Sequence, residues 1–299
     1  MERARRWSAI LVGLGLLGST SARVASAAAT EVVTVAISPS TEPGGGSSAP
    51  STSADGRYIA FQSSAPNLVA GDTNNLDDIF VHDRQTGVTT RVSVDSAGAE
   101  GNSDSAAPSI SGDSRYVAFS SAASNLVAGD TNGSEDVFVH DRLTGTTTRV
   151  SVDSAGAEGD SYSYEASISG DGRYVAFAST ASNLVAGDTN SIDDIFVHDR
   201  QTGATTRVSV DSFGVEGGSG STSASISGDG RYVAFASYAS NLVAGDTNLN
   251  SDIFVHDRQT GTTTRVSVDS TGVEGDGYSS APSISSDGIY VAFTSTSSN

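Results

Sequence analysis

The chain has no cysteine, and all 16 of its basic residues are arginine. Its one tryptophan and one methionine are Trp7 and Met1. Without cysteine there is no disulfide framework and no thiolate metal site, so stability rests on the core and on contacts between repeats. Helical periodicity is absent, as is any apolar run after the first 29 residues long enough to span a bilayer. Positive charge is scarce: Lys+Arg number 16 against 35 acidic residues, a net charge of −19. Such a surface repels nucleic acid and anionic lipid, so neither nucleic-acid binding nor membrane insertion is expected.

The first residues read as a secretory signal. Met1 to Trp7 is basic, Ser8 to Leu17 is apolar, and Ala25-Ser26-Ala27 is a small-residue cleavage site. Cleavage after Ala27 would leave 12 Arg against 34 acids, a net charge of −22. The chain is therefore expected to be exported, to the periplasm or beyond the cell. Arg5-Arg6 raises a twin-arginine route, but the residues around the pair suit the general secretory route better.

What the chain has in abundance is repetition. Asp55, Asp113, Asp171, Asp229 and Asp287 each open a D-[GS]-[RI]-Y-[VI]-A-F segment, and the step between them is 58 residues. His82, His140, His198 and His256 keep the same step. A fixed period of this length marks stacked or radially arranged units.

The third copy shows what one unit contains. Ser167 to Ser169, Arg173 to Ser179, Asp194 to Asp199 and Thr205 to Val210 are rich in β-branched and aromatic residues and are separated by Gly, Asp, Asn and Ser. They read as four strands. Gly170-Asp171-Gly172 suits a tight hairpin with positive φ angles. Asp199 to Gly203 suits a longer hairpin loop. In the second strand Val175 and Phe177 point one way, and Tyr174, Ala176 and Ala178 the other, so both faces need cover. Radial repetition supplies that cover, and the expected fold is an all-β propeller with one four-stranded blade per repeat.

The segments S-I-S-G-D-G-R-Y-V-A-F, D-I-F-V-H-D-R-Q-T-G and T-T-R-V-S-V resemble the TolB-like, WD-like propeller repeat of exported bacterial proteins. The resemblance covers about residues 50–299, with a longer connection before Asp194 than is usual there. It implies a propeller that acts as a binding platform, without implying one chemistry. Residues 28–48 are expected to hold a linker and a blade-closing strand at Val33-Thr34-Val35, with the propeller over 49–299. Four blades are complete and a fifth lacks its third strand. Either the chain closes a ring of five, or it is part of a longer propeller of six to eight blades. The second is favoured, because the chain stops inside a loop and a three-stranded closing blade leaves a sheet edge unpaired.

Catalysis finds little footing. Every His lies in V-H-D-R, one per complete repeat, whereas a catalytic triad or zinc site needs one committed, asymmetric His. The sharper candidate is the loop A-G-D-T-N-x-x-x-D. It places Asp72, Asn74 and Asp78 in the first copy and Asp130, Asn132 and Asp136 in the second. The third has Asp188, Asn190 and Asp194, and the fourth Asp246, Asn248 and Asp252. Carboxylate and amide oxygens at such spacing suit Ca²⁺, the one cofactor the sequence raises. They equally suit Asx turns that cap their own backbone. The loops after the second and fourth strands should share a face, bringing these acids beside Glu100, Glu158, Glu216 and Glu274. Tyr162, Tyr164, Tyr238 and Tyr278 in the variable loops are candidates for contacting a sugar or peptide. The expectation is a non-enzymatic module that binds a protein or small ligand. The alternatives are the propeller part of a larger exported hydrolase and a calcium-stabilised surface module.

Overall fold

A computed structural model describes residues 8–11 and 44–299. Among them there is no helix, and hence none long and apolar enough to cross a membrane. The first full blade holds β2 (Ser47–Thr52), β3 (Tyr58–Ser63), β4 (Asp78–Asp83) and β5 (Val88–Arg91). The second holds β6 (Ser105–Ile110), β7 (Tyr116–Ser121), β8 (Asp136–Asp141) and β9 (Thr146–Arg149). The third holds β10 (Ser163–Ile168), β11 (Tyr174–Ser179), β12 (Asp194–Asp199) and β13 (Thr205–Arg207). The fourth holds β14 (Ser221–Ile226), β15 (Tyr232–Ser237), β16 (Asp252–Asp257) and β17 (Thr262–Arg265). Each is an antiparallel sheet in sequence order, as expected of a propeller blade.

The fifth sheet contains β18 (Ser279–Ile284) and β19 (Tyr290–Ser295). Strand β1 (Ser8–Leu11), which falls within the expected signal and would be lost on cleavage after Ala27, runs parallel to β19, with Ser8 opposite Tyr290 and Leu11 opposite Phe293. The rest of the expected signal, and the expected strand at Val33 to Val35, lie outside the described residues.

The hairpin glycines act in two different ways. Gly172 takes a left-handed φ of 72°. Gly170 does not. It lies against the next blade, where its N–H donates to Gly228 O at 2.9 Å and an added Cβ would sit 3.0 Å from that oxygen. The first strand begins earlier than the pattern suggested, at Ser163 rather than Ser167, because a bulge between Tyr164 and Ser167 breaks the alternation. Glu165 sits in that bulge at φ 54°.

The core is a series of junctions between blades. Ala60, Ile79, Val81 and Val92 of the first blade pack on Ile110, Val117, Phe119 and Phe138 of the second, and the later junctions repeat the set. Both faces of the second strand are buried, as its two apolar faces require. First strands adjoin one another along the inner side. There Ile110 N donates to Ser51 Oγ at 3.1 Å and Ile168 N to Ser109 Oγ at 3.2 Å. The cover a following blade gives is visible in two equivalent tyrosines. Tyr232, faced by the fifth sheet, is 5% exposed, while Tyr290 on the outer face of that sheet is 50% exposed.

Candidate functional site

The loops after the second and fourth strands do meet on one face, and they meet around an arginine. In the third blade Arg207, at the end of β13, places Nη1 2.5 Å from Glu216 Oε1, 3.2 Å from Asp194 Oδ2 and 3.5 Å from Asp188 Oδ1. Arg91 gathers Asp72, Asp78 and Glu100 in the same way, at 3.7, 3.1 and 2.7 Å. Arg149 gathers Asp130, Asp136 and Glu158, and Arg265 gathers Asp246, Asp252 and Glu274. Within each set the carboxylate oxygens lie within 4.8 Å of one another.

Local sequence explains this grip. In T-T-R-V-S the Arg and Ser are two residues apart and share a side of the chain. Ser209 Oγ donates to Asp194 Oδ1 at 2.5 Å, while Arg207 Nη1 takes the other carboxylate oxygen. One guanidinium faces three carboxylates, two of them almost fully buried, so negative charge is in excess. Burial, and then the nearby Asp194, push the Asp188 carboxyl up to about 6. Burial, with Asp136 beside it, does the same to Asp130, also to about 6. Glu100 and Glu274 are held below their usual value, first by hydrogen bonds from Thr73 and Thr247. Asp188 Oδ1 is buried and accepts no hydrogen bond.

The residues raised as Ca²⁺ ligands thus divide. Asp72 and Asp78, with their counterparts in the other three blades, converge, joined by the Glu of the neighbouring loop. The four Asn turn to the backbone. Asn74 Oδ1 accepts from Leu76 N at 2.9 Å and its Nδ2 donates to Gly101 O at 3.0 Å. Asn132, Asn190 and Asn248 repeat both bonds. In those three copies Nδ2 also points at the cluster Asp, at 3.1 to 3.4 Å, so a donor rather than an oxygen faces the acids. The four arginines were not anticipated, although T-T-R recurs with the period.

The histidines serve the blade. Each ring places Nδ1 2.9 Å from a Thr Oγ1 on the adjacent strand, His140 on Thr147 and His198 on Thr205. Thr147 Oγ1 donates its own hydrogen to Val94 O of the preceding blade, so it accepts from His140, whose Nδ1 carries a proton. Burial lowers the basicity of His140 and His198, and takes His256 down to about 4. On this opposite face Arg173 holds Asp199 through two bonds of 2.9 and 2.6 Å, and three further blades repeat the pair.

The variable loops behave differently from the repeated ones. Tyr164, expected in a loop, falls instead in β10 and is tied down, its hydroxyl donating to Asp193 Oδ1 at 2.5 Å. Tyr162, Tyr238 and Tyr278 are more than half exposed, and the rings of Tyr238 and Tyr278 meet edge to face with centroids 6.4 Å apart. Phe213 and Leu249, passed over in the sequence, are 93% and 80% exposed. Their departure from the repeat was the available signal: the counterparts of Phe213 are Ala97, Ala155 and Thr271, and those of Leu249 are Asn75, Gly133 and Ser191.

No protein-family model and no curated protein matches the chain. Solved structures do. TolB from Acinetobacter baumannii is similar at 21% identity and a TM-score of 0.49, over 82% of this chain and 47% of that one. A putative TolB from Agrobacterium tumefaciens is similar at 15% identity and a TM-score of 0.40, over 85% of this chain and 92% of that one. A prolyl endopeptidase structure is similar at 14% identity and a TM-score of 0.46, over 78% and 31%. The chain spans about half the length of the Acinetobacter TolB. At these identities the likeness is one of fold alone.

Proposed function

We propose that the chain is an exported, non-enzymatic propeller-type module that binds a protein or other ligand on its acidic loop face. The observation that carries this reading is the use already made of its reactive side chains. Each His is bonded to a Thr of its own blade, and each Arg–carboxylate cluster recurs four times as part of blade construction. A catalytic centre requires a nucleophile, base and electrostatic stabiliser converging at one place. The groups in V-H-D-R and A-G-D-T-N are instead engaged in closing turns and joining strands. What distinguishes one blade from another is its exposed loop side chains, where a rigid scaffold carries recognition.

The test is to purify the exported protein, determine its N-terminus, and assay it against chromogenic peptidase, esterase and glycosidase substrates. The expected result is a start near Ala28 and no turnover above a heat-denatured control. Turnover that co-purifies with the folded protein would overturn the non-enzymatic reading, and retention of residues 1–27 would overturn export.

A further inference from the structure

We propose that the loop face of the third to fifth blades is a docking surface for a cationic polypeptide segment bearing bulky apolar side chains. The inference deepens the binding-module reading and rests on it.

The starting observation is an asymmetry within a repeat. On the loop face, large exposed apolar side chains come from Tyr162, Phe213, Val215, Tyr238, Leu249, Val273 and Tyr278. All are carried by loops of the third, fourth and fifth blades. The same five positions in the first two blades hold Gly46 and Asp104, Ala97 and Ala155, Ala99 and Ala157, Ser64 and Ala122, and Asn75 and Gly133. One framework therefore presents a small, polar sector and an apolar one side by side.

Phe213, Tyr238, Leu249 and Tyr278 sit around one groove and the junction that follows it. Phe213 edges a groove of about 550 Å³ whose floor is Ser240 to Gly245 of the next blade. The equivalent groove of about 600 Å³ at the first junction has Ala97 in its place. Tyr238, just before that floor, meets Tyr278 of the fifth blade. Beyond the floor, Thr247 bonds to Glu274, the neighbour of Val273, and Asn250 Nδ2 donates to Asp276 O, two residues from Tyr278. Leu249 lies between these two contacts at φ 59°. A leucine in the left-handed region and exposed to water is unfavourable twice over, by backbone sterics and by apolar hydration.

Charge selects the partner. Among the described residues, the arginines of this face are Arg91, Arg149, Arg207 and Arg265, all at most 10% exposed inside their clusters. The sector is bordered by Asp211, Asp269 and Asp276; a hydrogen bond from Val273 N holds Asp269, and hydrogen bonds from Ser298 hold Asp276, in the ionised form. An apolar tract with an anionic border and no exposed cation suits Lys or Arg side chains flanking aromatic or aliphatic anchors.

The experiment compares the full chain with a variant carrying Phe213→Ala, Tyr238→Ala, Leu249→Gly and Tyr278→Asp. Each replacement is the residue the same position holds in an earlier blade, so the backbone already accommodates it. Fluorescently labelled synthetic peptides of about twelve residues serve as probes, one built from Lys and Phe, one from Lys and Ser, and one from Glu and Phe. The Lys–Phe peptide should bind the native chain, weaken as salt rises, and bind the variant at least about ten-fold more weakly. Equal binding to both chains, equal binding of the Lys–Ser peptide, tighter binding of the Glu–Phe peptide, or no binding of the Lys–Phe peptide overturns the proposal. A concentration-dependent dimer in light scattering that the variant disperses overturns it in favour of a second copy as occupant. A ligand of another class whose binding ignores the four changes removes this surface while leaving the module reading intact; only turnover removes that reading.

Discussion

The guanidinium of Arg142 in the second blade lies over the ring of Tyr58 in the first, 4.2 Å from its centroid. Arg200 covers Tyr116 and Arg258 covers Tyr174 in the same way, at 4.3 and 4.4 Å. Arg200 also donates to Gly172 O at 2.6 Å, so one side chain joins the β10–β11 hairpin of its own blade to the ring of the preceding blade. Desolvation, visible as a lowered basicity at Arg200 and Arg258, strengthens the attraction to the ring.

Removing this stack should loosen a junction between blades. Arg200→Ala is expected to cost about 1–3 kcal/mol, the sum of a desolvated cation–π contact and a charged hydrogen bond. A double-mutant cycle with Tyr116→Ala in urea unfolding should return a coupling of about 1 kcal/mol. Strict additivity would show that ring and guanidinium are mere neighbours.

Ser114 occupies a position that is glycine in the other four copies, and it does so at φ 69°. A side chain there is strained, and at the equivalent Gly172 an added Cβ would press on the Tyr116 ring. Ser114→Gly should therefore stabilise the chain by about 0.5–1 kcal/mol, while Gly172→Ala should destabilise it by about 1–2 kcal/mol. Chemical denaturation of the two variants measures both signs. A loss of stability in Ser114→Gly would mean that unfolded-chain entropy outweighs the strain.

The clusters are held by arginine, and a hard cation would compete with it for the same oxygens. In the native chain, added Ca²⁺ or chelator is expected to leave the melting temperature unchanged. Arg207→Gln strands Asp188, Asp194 and Glu216 together, which should cost about 3–5 kcal/mol. Millimolar Ca²⁺ should recover part of that loss by binding the vacated oxygens. A Ca²⁺-dependent rise in the native chain would show that cation and guanidinium sit together.

Stability should vary with pH through three sets of groups acting in different windows. His140, His198 and His256 have folded pKa values below the ordinary value, so their contribution is present above about pH 6.5 and is lost as pH falls below it, in the case of His256 through about 4. Asp130 and Asp188 have folded values raised to about 6, so the folded state holds extra protons between about pH 4 and 6 and gains stability as pH falls there. These two sets oppose each other. Asp83, Asp141 and Asp199 are held far below the usual range, first by their arginines, so their contribution is lost only below about pH 4. The melting temperature should be nearly flat from pH 7 to about 4.5 and fall steeply below. Asp188→Asn should raise it at pH 7.5 more than at pH 5; an equal shift at both would assign Asp188 an ordinary pKa.

Much of the fold could be read from residues close together in the chain. The Gly172 turn, the Asp199 to Gly203 loop and the two-sided burial of Tyr174 to Ser179 follow from local sterics and alternation. The bulge at Glu165 was not legible, because its residues carry no turn signal and the kink is supported by the next blade, where Glu165 Oε2 accepts from Ser223 N. Asp188 and Asp194 were identified as neighbours from their spacing. Glu216 was placed beside them by topology, and Arg207 was missed because its carboxylate partners lie 9 to 19 residues away on a neighbouring strand and two separate loops.

The sequence by itself determined the repeating unit: the period, the four strands, the turns and the need for cover on both faces. These are properties of short stretches, where side-chain direction and φ preference act on adjacent residues. Only the tertiary structure decided that an arginine occupies the centre of each acidic set, and that Phe213, Tyr238, Leu249 and Tyr278 share one surface. Those relations depend on where loops from different strands and blades come to rest, which is fixed by packing between blades rather than by any local preference.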